Sequence, residues 1–304
     1  MSSPSPARTG STPRPAPPDD TKLALLFIAP AALGFLVFLV WPTVRGIYLS
    51  FTRFNLLRPA EFVGVDNYTR MFADPVFWNA LWVTLQYVVL NIGFQTILAL
   101  VIAVMMQRLT QSTWLRGLIL TPYLVSNVVA AMLFLWILDY QLGFGQVVLE
   151  SIGLERIPFL GSADWAIPTI AFINTWRHVG YTALLIFAGL QTIPETVYEA
   201  ARMDGSSEVS TFLRITVPLL RPILALGLII TVVGSFQVFD TVAVATQGGP
   251  VNATRVLQFY IYDLAFGRFQ FGYASALSVA LLLVLMAVTF VQYRLTRADS
   301  TDLD

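Results

Sequence analysis

Five stretches of this chain run the length of a bilayer without one charged side chain: residues 23–44, 75–107, 117–138, 222–239 and 269–293. A hydrocarbon core takes about 20 apolar helical residues to cross, and a backbone in lipid must satisfy its own hydrogen bonds, which a helix does. A sixth stretch, 165–192, is equally long but carries Arg177 and His178 in its interior. The pattern predicts six helices, roughly at 23–46, 80–106, 115–138, 166–190, 221–243 and 273–295. Trp41, Trp82, Trp114, Tyr140, Trp165 and Tyr293 lie near their ends, where amphipathic rings favour the membrane interface. The expected fold is an all-α integral membrane bundle of six transmembrane helices.

Composition supports this and removes several chemistries. Of 304 residues, 56% are hydrophobic and 12% charged, about half the charged share of soluble domains. Net charge is zero, so no basic surface argues for nucleic acid. There is no Cys and one His, which excludes disulfides, thiolate metal sites, cysteine nucleophiles and a multi-histidine zinc site. The one lysine, Lys22, follows Pro-Asp-Asp-Thr and precedes Leu, so no Gly-rich phosphate loop ending in Lys-Ser/Thr is possible. Neither a catalytic set nor a metal site is expected; if the chain uses ATP, another subunit hydrolyses it.

Residues 1–20 are rich in Ser, Pro, Thr and Ala and too polar to bury a core. The expected organisation is a disordered tail at 1–22, a membrane domain at 23–295 and a short tail at 296–304. The apolar run continues unbroken past Ala29-Pro30-Ala31, so it reads as an uncleaved span and not as a secretory signal. With both termini cytoplasmic, ten Lys and Arg fall inside and seven outside, the direction of the positive-inside bias. The loops at 47–78, 139–164 and 244–272, with Gly143, Gly145, Pro158, Gly248, Gly249 and Pro250, read as ordered caps.

One polar segment stands between the fourth and fifth spans, EAARMDGSSEVSTFLRITVPLLRP from Glu199. Pro194 suits a helix start and Glu195 and Glu199 suit its positive end. The helix is expected to run to about Asp204, with Gly205 as the left-handed residue that stops it. Ser206 then caps a second helix with Glu208 in its first turn. Val209, Phe212, Leu213 and Val217 recur at helical spacing as an apolar stripe. A helical hairpin at the membrane face follows. Periodicity alone leaves two readings open: an interfacial amphipathic connector, or a segment that inserts into a partner's groove.

Glu199-Ala200-Ala201, Gly205, Ile215 and Pro218 together closely resemble the EAA loop of permease subunits of binding-protein-dependent ABC importers. Val217 stands where that family commonly has Leu. Phe239-Asp240-Thr241 with Thr246-Gln247-Gly248-Gly249-Pro250 is similar to the carbohydrate branch, maltose permeases among them. Ala29-Pro30-Ala31, Trp41-Pro42, Phe62-Val63-Gly64 and Asn67-Tyr68 are similar to the same branch. The resemblance spans about residues 23–295 and implies the type I importer bundle in a bacterial inner membrane. It also implies a sister permease, a cytoplasmic ABC ATPase dimer that holds ATP and Mg, and an extracytoplasmic sugar-binding protein. This chain would then bind no cofactor. Glu199, Ala200, Ala201, Asp204 and Gly205 would dock on the ATPase, and Ile215 and Pro218 would fix the loop 194–218 to the bundle.

Arg177 falls about 16 Å into the fourth helix at 1.5 Å per residue, near mid-bilayer, where an ionisable group usually faces a polar cavity or a partner. Asn174, Arg177, His178 and Tyr181 share its face, flanked by Trp176; Thr231, Ser235 and Gln237 lie on the fifth helix. Aromatic faces with amide, hydroxyl and guanidinium groups suit a sugar, so Asn174, Trp176, Arg177, Tyr181, Thr231, Ser235 and Gln237 form the candidate pathway. Gln95 and Asn127 are further polar positions. The same groups also suit structural roles: hydroxyls bond their own helix, polar side chains join helices, and Arg177 is placed to pair with Asp240. His178 reads as packing or a hydrogen bond. The alternatives are an ion-coupled secondary transporter of a small polar solute, with Arg177, His178 and Asp240 as a proton path, and a membrane-embedded enzyme, for which paired carboxylates are lacking.

Overall fold

The computed structural model describes residues 21–109 and 112–297. The tails expected at 1–22 and 296–304 lie outside the described residues but for Thr21, Lys22, Thr296 and Arg297, which are helical. The chain divides into two compact units between Gly46 and Ile47. In the first, α1 (Thr21–Phe35) passes through a π turn (Leu36–Val40) into α2 (Trp41–Ser50), whose residues from Ile47 on belong to the second. The first span thus reaches Ser50, past the expected 46.

After the end of α2, the second unit continues with a two-residue antiparallel pair, β1 (Thr52–Arg53) and β2 (Glu61–Phe62), and α3 (Asp66–Ala73). The side chain of Asn67 ties this cap down, donating to the Ser50 and Thr52 carbonyls at 2.8 and 2.9 Å. Then α4 (Pro75–Leu109) starts at a proline, with Asp74 accepting from the Val76 amide, as an N-terminal carboxylate does.

The third expected span is not one helix. α5 (Thr113–Leu124) and α6 (Asn127–Ile137) are bent by 91° across Val125 and Ser126. Pro122 lacks a backbone donor near the end of α5, and Val125 and Ser126 are extended, so the ladder cannot continue. α7 (Phe144–Ser151) caps the loop before α8 (Ala163–Leu190), whose Ser162 accepts from the Asp164 amide.

The polar hairpin follows as α9 (Glu195–Met203), α10 (Glu208–Thr211), a π turn (Phe212–Thr216) and α11 (Val217–Leu219). The fifth span is also interrupted. Three residues, 237–239, separate α12 (Arg221–Phe236) from α13 (Asp240–Ala245). α14 (Leu257–Tyr262), a π turn (Asp263–Gly267) and α15 (Phe271–Arg297) complete the chain.

Among the described residues, the helices long and apolar enough to span are Leu25–Ser50, Pro75–Arg108, Arg221–Ala245 and Phe271–Arg294, with the bent α5–α6 pair a fifth by the same measure. α8, the remaining expected span, is 28 residues long. Asn174, Thr175, Arg177 and His178 make its middle polar, which is why its composition alone does not mark it.

α4 and α8 run in parallel and form the most extensive helix pair. Ala99, Ala103 and Ala183 are fully buried along it, and small residues let backbones approach where lipid supplies no hydrophobic drive. Apolar side chains cluster at two levels. One joins Phe77, Val83 and Tyr87 of α4 to Ile167 and Ile170 of α8, Phe236 of α12 and Leu277 of α15. The other joins Met106, Ile186, Leu190 and Leu220. A polar layer lies between them in all three of α4, α8 and α12.

Candidate functional site

That layer surrounds a cavity of about 360 Å³. On its α4 side, Asn91 donates to Ser235 Oγ at 2.9 Å and accepts from Thr175 Oγ1 at 3.3 Å. Gln95 donates to Thr182 Oγ1 at 2.8 Å. Asn174 accepts from Thr241 Oγ1 at 3.3 Å, and Tyr123 stacks on Tyr181 with centroids 4.8 Å apart. A cavity of this size with amide, hydroxyl and aromatic walls suits a polar solute bearing hydroxyl groups.

Both interrupted helices abut this cavity. Asn127, first residue of α6, donates from Nδ2 to Asp240 Oδ2 at 2.9 Å, so the two breaks are joined by a hydrogen bond. Arg177 donates from Nε to the Val125 carbonyl at 2.6 Å and from a terminal nitrogen to His178 Nε2 at 2.7 Å. A guanidinium only donates, so His178 Nε2 accepts. Its Nδ1 then carries the proton toward the Asn174 carbonyl at 2.9 Å. Both imidazole nitrogens are engaged, the hydrogen-bonded role expected of this histidine, and the pairing considered for Arg177 with Asp240 gives way to these contacts.

Of the candidate pathway residues, Asn174, Tyr181, Thr231, Ser235 and Gln237 line the cavity; Trp176 and Arg177 do not. Trp176 packs edge-on against Phe134 with centroids 5.1 Å apart. Thr231 and Ser235 are buried, and Ser235 also donates to the Thr231 carbonyl, so the structural role open to these hydroxyls is present too. Gln95 and Asn127 line the cavity as well. Sequence reasoning missed Asn91, Tyr123 and Thr182. Asn91 and Gln95, four apart inside a charge-free span, were the available signal for the first.

The hairpin closes the other end of the bundle. Gly205 has φ +73°. The Ser206 amide bonds the Ala201 carbonyl at 3.0 Å and the Gly205 amide bonds Arg202 at 3.1 Å, the paired geometry of a glycine-terminated helix. Ser207, and not Ser206, caps the second helix, accepting from the Ser210 amide. Ala201 is buried while Glu199, Ala200, Asp204 and Gly205 are exposed. Ile215 and Pro218 are half-buried. Of the expected apolar stripe, Val209 and Leu213 are exposed while Phe212 and Val217 are half-buried, so it is divided between the chain's own packing and its surface. Arg108 at the end of α4 bonds Glu208 at 2.6 Å and holds that carboxyl below its usual range.

Residues 95–298 match the family of binding-protein-dependent transport system inner membrane components. The chain belongs to this family. It is therefore a multi-pass permease of the inner membrane. The permease is 36% identical over 281 residues to the sulfoquinovosyl glycerol transport permease SmoG of Agrobacterium fabrum, covering 91% of each chain. It is 32% identical over 283 residues to the trehalose/maltose permease MalF of Thermococcus litoralis, covering 91% of this chain and 95% of that one. A solved bacterial ABC transporter that imports the acidic polysaccharide alginate shares the fold, with TM-score 0.81 and 24% identity over 93% of this chain and 98% of that one.

Proposed function

We propose that this permease forms half of the sugar pathway of an ATP-driven importer and takes its energy through the 194–218 hairpin. The observation that carries the reading is the hairpin itself. Its glycine-terminated helix presents Glu199, Ala200, Asp204 and Gly205 to solvent, while buried Ala201 and half-buried Ile215 and Pro218 hold it to the bundle. A helix set out in this way suits a partner's groove. The partner is a cytoplasmic ABC ATPase dimer that binds ATP and Mg, which leaves this chain non-catalytic and without a cofactor. Both termini then lie in the cytoplasm.

The cavity is the route of the cargo, with Asn174, Tyr181, Thr231, Ser235 and Gln237 along it and Arg177 and Trp176 supporting its wall. A sister permease supplies the other half, and an extracytoplasmic binding protein delivers the sugar. Supporting the sugar class, the names of similar proteins specify trehalose and maltose, lactose, and arabinooligosaccharides. A solved relative of the same fold is described in complex with a sugar-loaded periplasmic protein.

The test is co-purification followed by reconstitution. The chain is expected to bring down a sister permease and a P-loop ATPase, and vesicles holding all three with the binding protein take up sugar only with ATP. Full uptake by this chain alone, driven by a proton gradient, would overturn the reading.

A further inference from the structure

The cavity has an electrostatic bias. Among the described residues that line it there is no Arg or Lys, and Asp240 is the one carboxylate. The cation that sequence position suggested for this face, Arg177, is engaged by the Val125 carbonyl and by His178. His178 turns its Nε2 lone pair to that guanidinium. The cavity's acceptors are also incompletely used. Asp240 bonds Asn127 through Oδ2 alone, and Asn127 Oδ1 is buried without a partner.

We propose that Asp240, with Asn127 beside it, makes this half of the pathway a charge filter. It admits uncharged and ammonium-bearing sugars and disfavours those carrying carboxylate, sulfonate or phosphate. A sugar hydroxyl or ammonium donates to the second oxygen of the Asp240 carboxylate, whereas an anion meets that carboxylate with no lining cation to offset it. Like charges about 6–8 Å apart at an effective dielectric constant of ~20 repel enough to change a rate about tenfold or more. This inference rests on the sugar-pathway reading above.

The absence of cysteine allows a test that needs no knowledge of the cargo. Gln237, exposed and lining the cavity, is replaced by Cys in the assembled importer. Its labelling rate is measured with a trimethylammonium and a sulfonate methanethiosulfonate reagent. Relative to a free thiol in solution, the cation-to-anion rate ratio is expected to be raised about tenfold, and Asp240→Asn in the same background returns it to the free-thiol value. A ratio equal to the free-thiol value with Asp240 present would overturn the filter and leave the pathway reading standing. Failure of both reagents to reach the cysteine, with ATP hydrolysis intact, would instead overturn the pathway reading. The ratio with Asp240 in place decides the matter even where Asp240→Asn fails to assemble.

Discussion

The Arg177 guanidinium donates to the main-chain carbonyl of Val125 at 2.6 Å, joining the middle of one membrane helix to the break in another. A helix interrupted at membrane depth leaves backbone groups without ladder partners, and the bilayer supplies no water to replace them. Arg177→Met removes the donor while keeping much of the apolar stem. The purified complex is expected to lose about 1–3 kcal/mol, the cost of an unsatisfied buried group, read as a lower thermal midpoint. Arg177→Lys keeps a charge but not the planar fork that reaches Val125 and His178 together, so it restores only part of the loss.

The breaks themselves were hidden in the sequence. Residues 117–138 are charge-free and apolar, and hydropathy sums along a run without detecting where its ladder stops. Pro122 and Ser126 were the local signals, but each is tolerated inside membrane helices. Arg177 was visible as an anomaly in an apolar run. Its partner was not, because a main-chain carbonyl leaves no trace in side-chain pattern. The glycine stop of α9, by contrast, was legible because Gly205 followed Asp204 at the end of a short amphipathic run. The cap that followed was misplaced by one residue in a Ser206-Ser207 pair, where either hydroxyl offered the same chemistry.

The polar layer makes a second prediction. Asn91 holds Ser235 and Thr175 at once, at 2.9 and 3.3 Å. Interhelical hydrogen bonds in membranes average about 0.6 kcal/mol, so Asn91→Leu is expected to cost roughly 1–2 kcal/mol for the pair and the hydroxyls left behind. Combining it with Ser235→Ala is expected to cost less than the sum of the two, since they share one bond. Thermal unfolding of the four proteins in the cycle checks this.

Acid is expected to act on the cap where α4 begins. Burial opposes ionisation of Asp74, but hydroxyls of Tyr260 and Tyr273 and the amides of Val76 and Phe77 outweigh it and hold the carboxyl below its ordinary value of 3.8. A depressed carboxyl contributes stability that is complete above the unfolded value and is lost as pH falls through the folded one. Asp74→Asn is therefore expected to be less stable than the parent at about pH 6, with the gap narrowing toward about pH 3. A gap that stays constant across thermal midpoints in that range would contradict the assignment.

Close backbone approach gives a fourth expectation. A Cβ placed on Gly180 of α8 would run into the Ile119 carbonyl oxygen of α5, main chain that no rotamer change can move aside. Gly180→Ala is expected to push α5 from α8 and to destabilise by about 1–3 kcal/mol, the range for overpacked sites. Gly227, whose added Cβ would meet only the Leu185 side chain at 3.6 Å, serves as the control and is expected to accept Ala with little change.

The hairpin allows geometry to be separated from docking. Gly205 sits at φ +73° with open space around a hypothetical Cβ, so substitutions there differ in backbone cost and in surface charge but not in packing. Asn tolerates the left-handed region well and adds no charge, so Gly205→Asn is expected to keep sugar uptake per ATP within about twofold of the parent. Gly205→Val, β-branched in a region that costs other residues about 1–2 kcal/mol, is expected to disorder the turn. Gly205→Asp keeps the turn but sets a second carboxylate next to Asp204 on the exposed face. If that face seats an ATPase, uptake per ATP falls about tenfold or more in the Asp and Val variants. ATPase capture on the purified permease then separates the causes: Val weakens it by losing the turn, Asp by adding charge, and raising the salt concentration restores binding to the Asp variant alone.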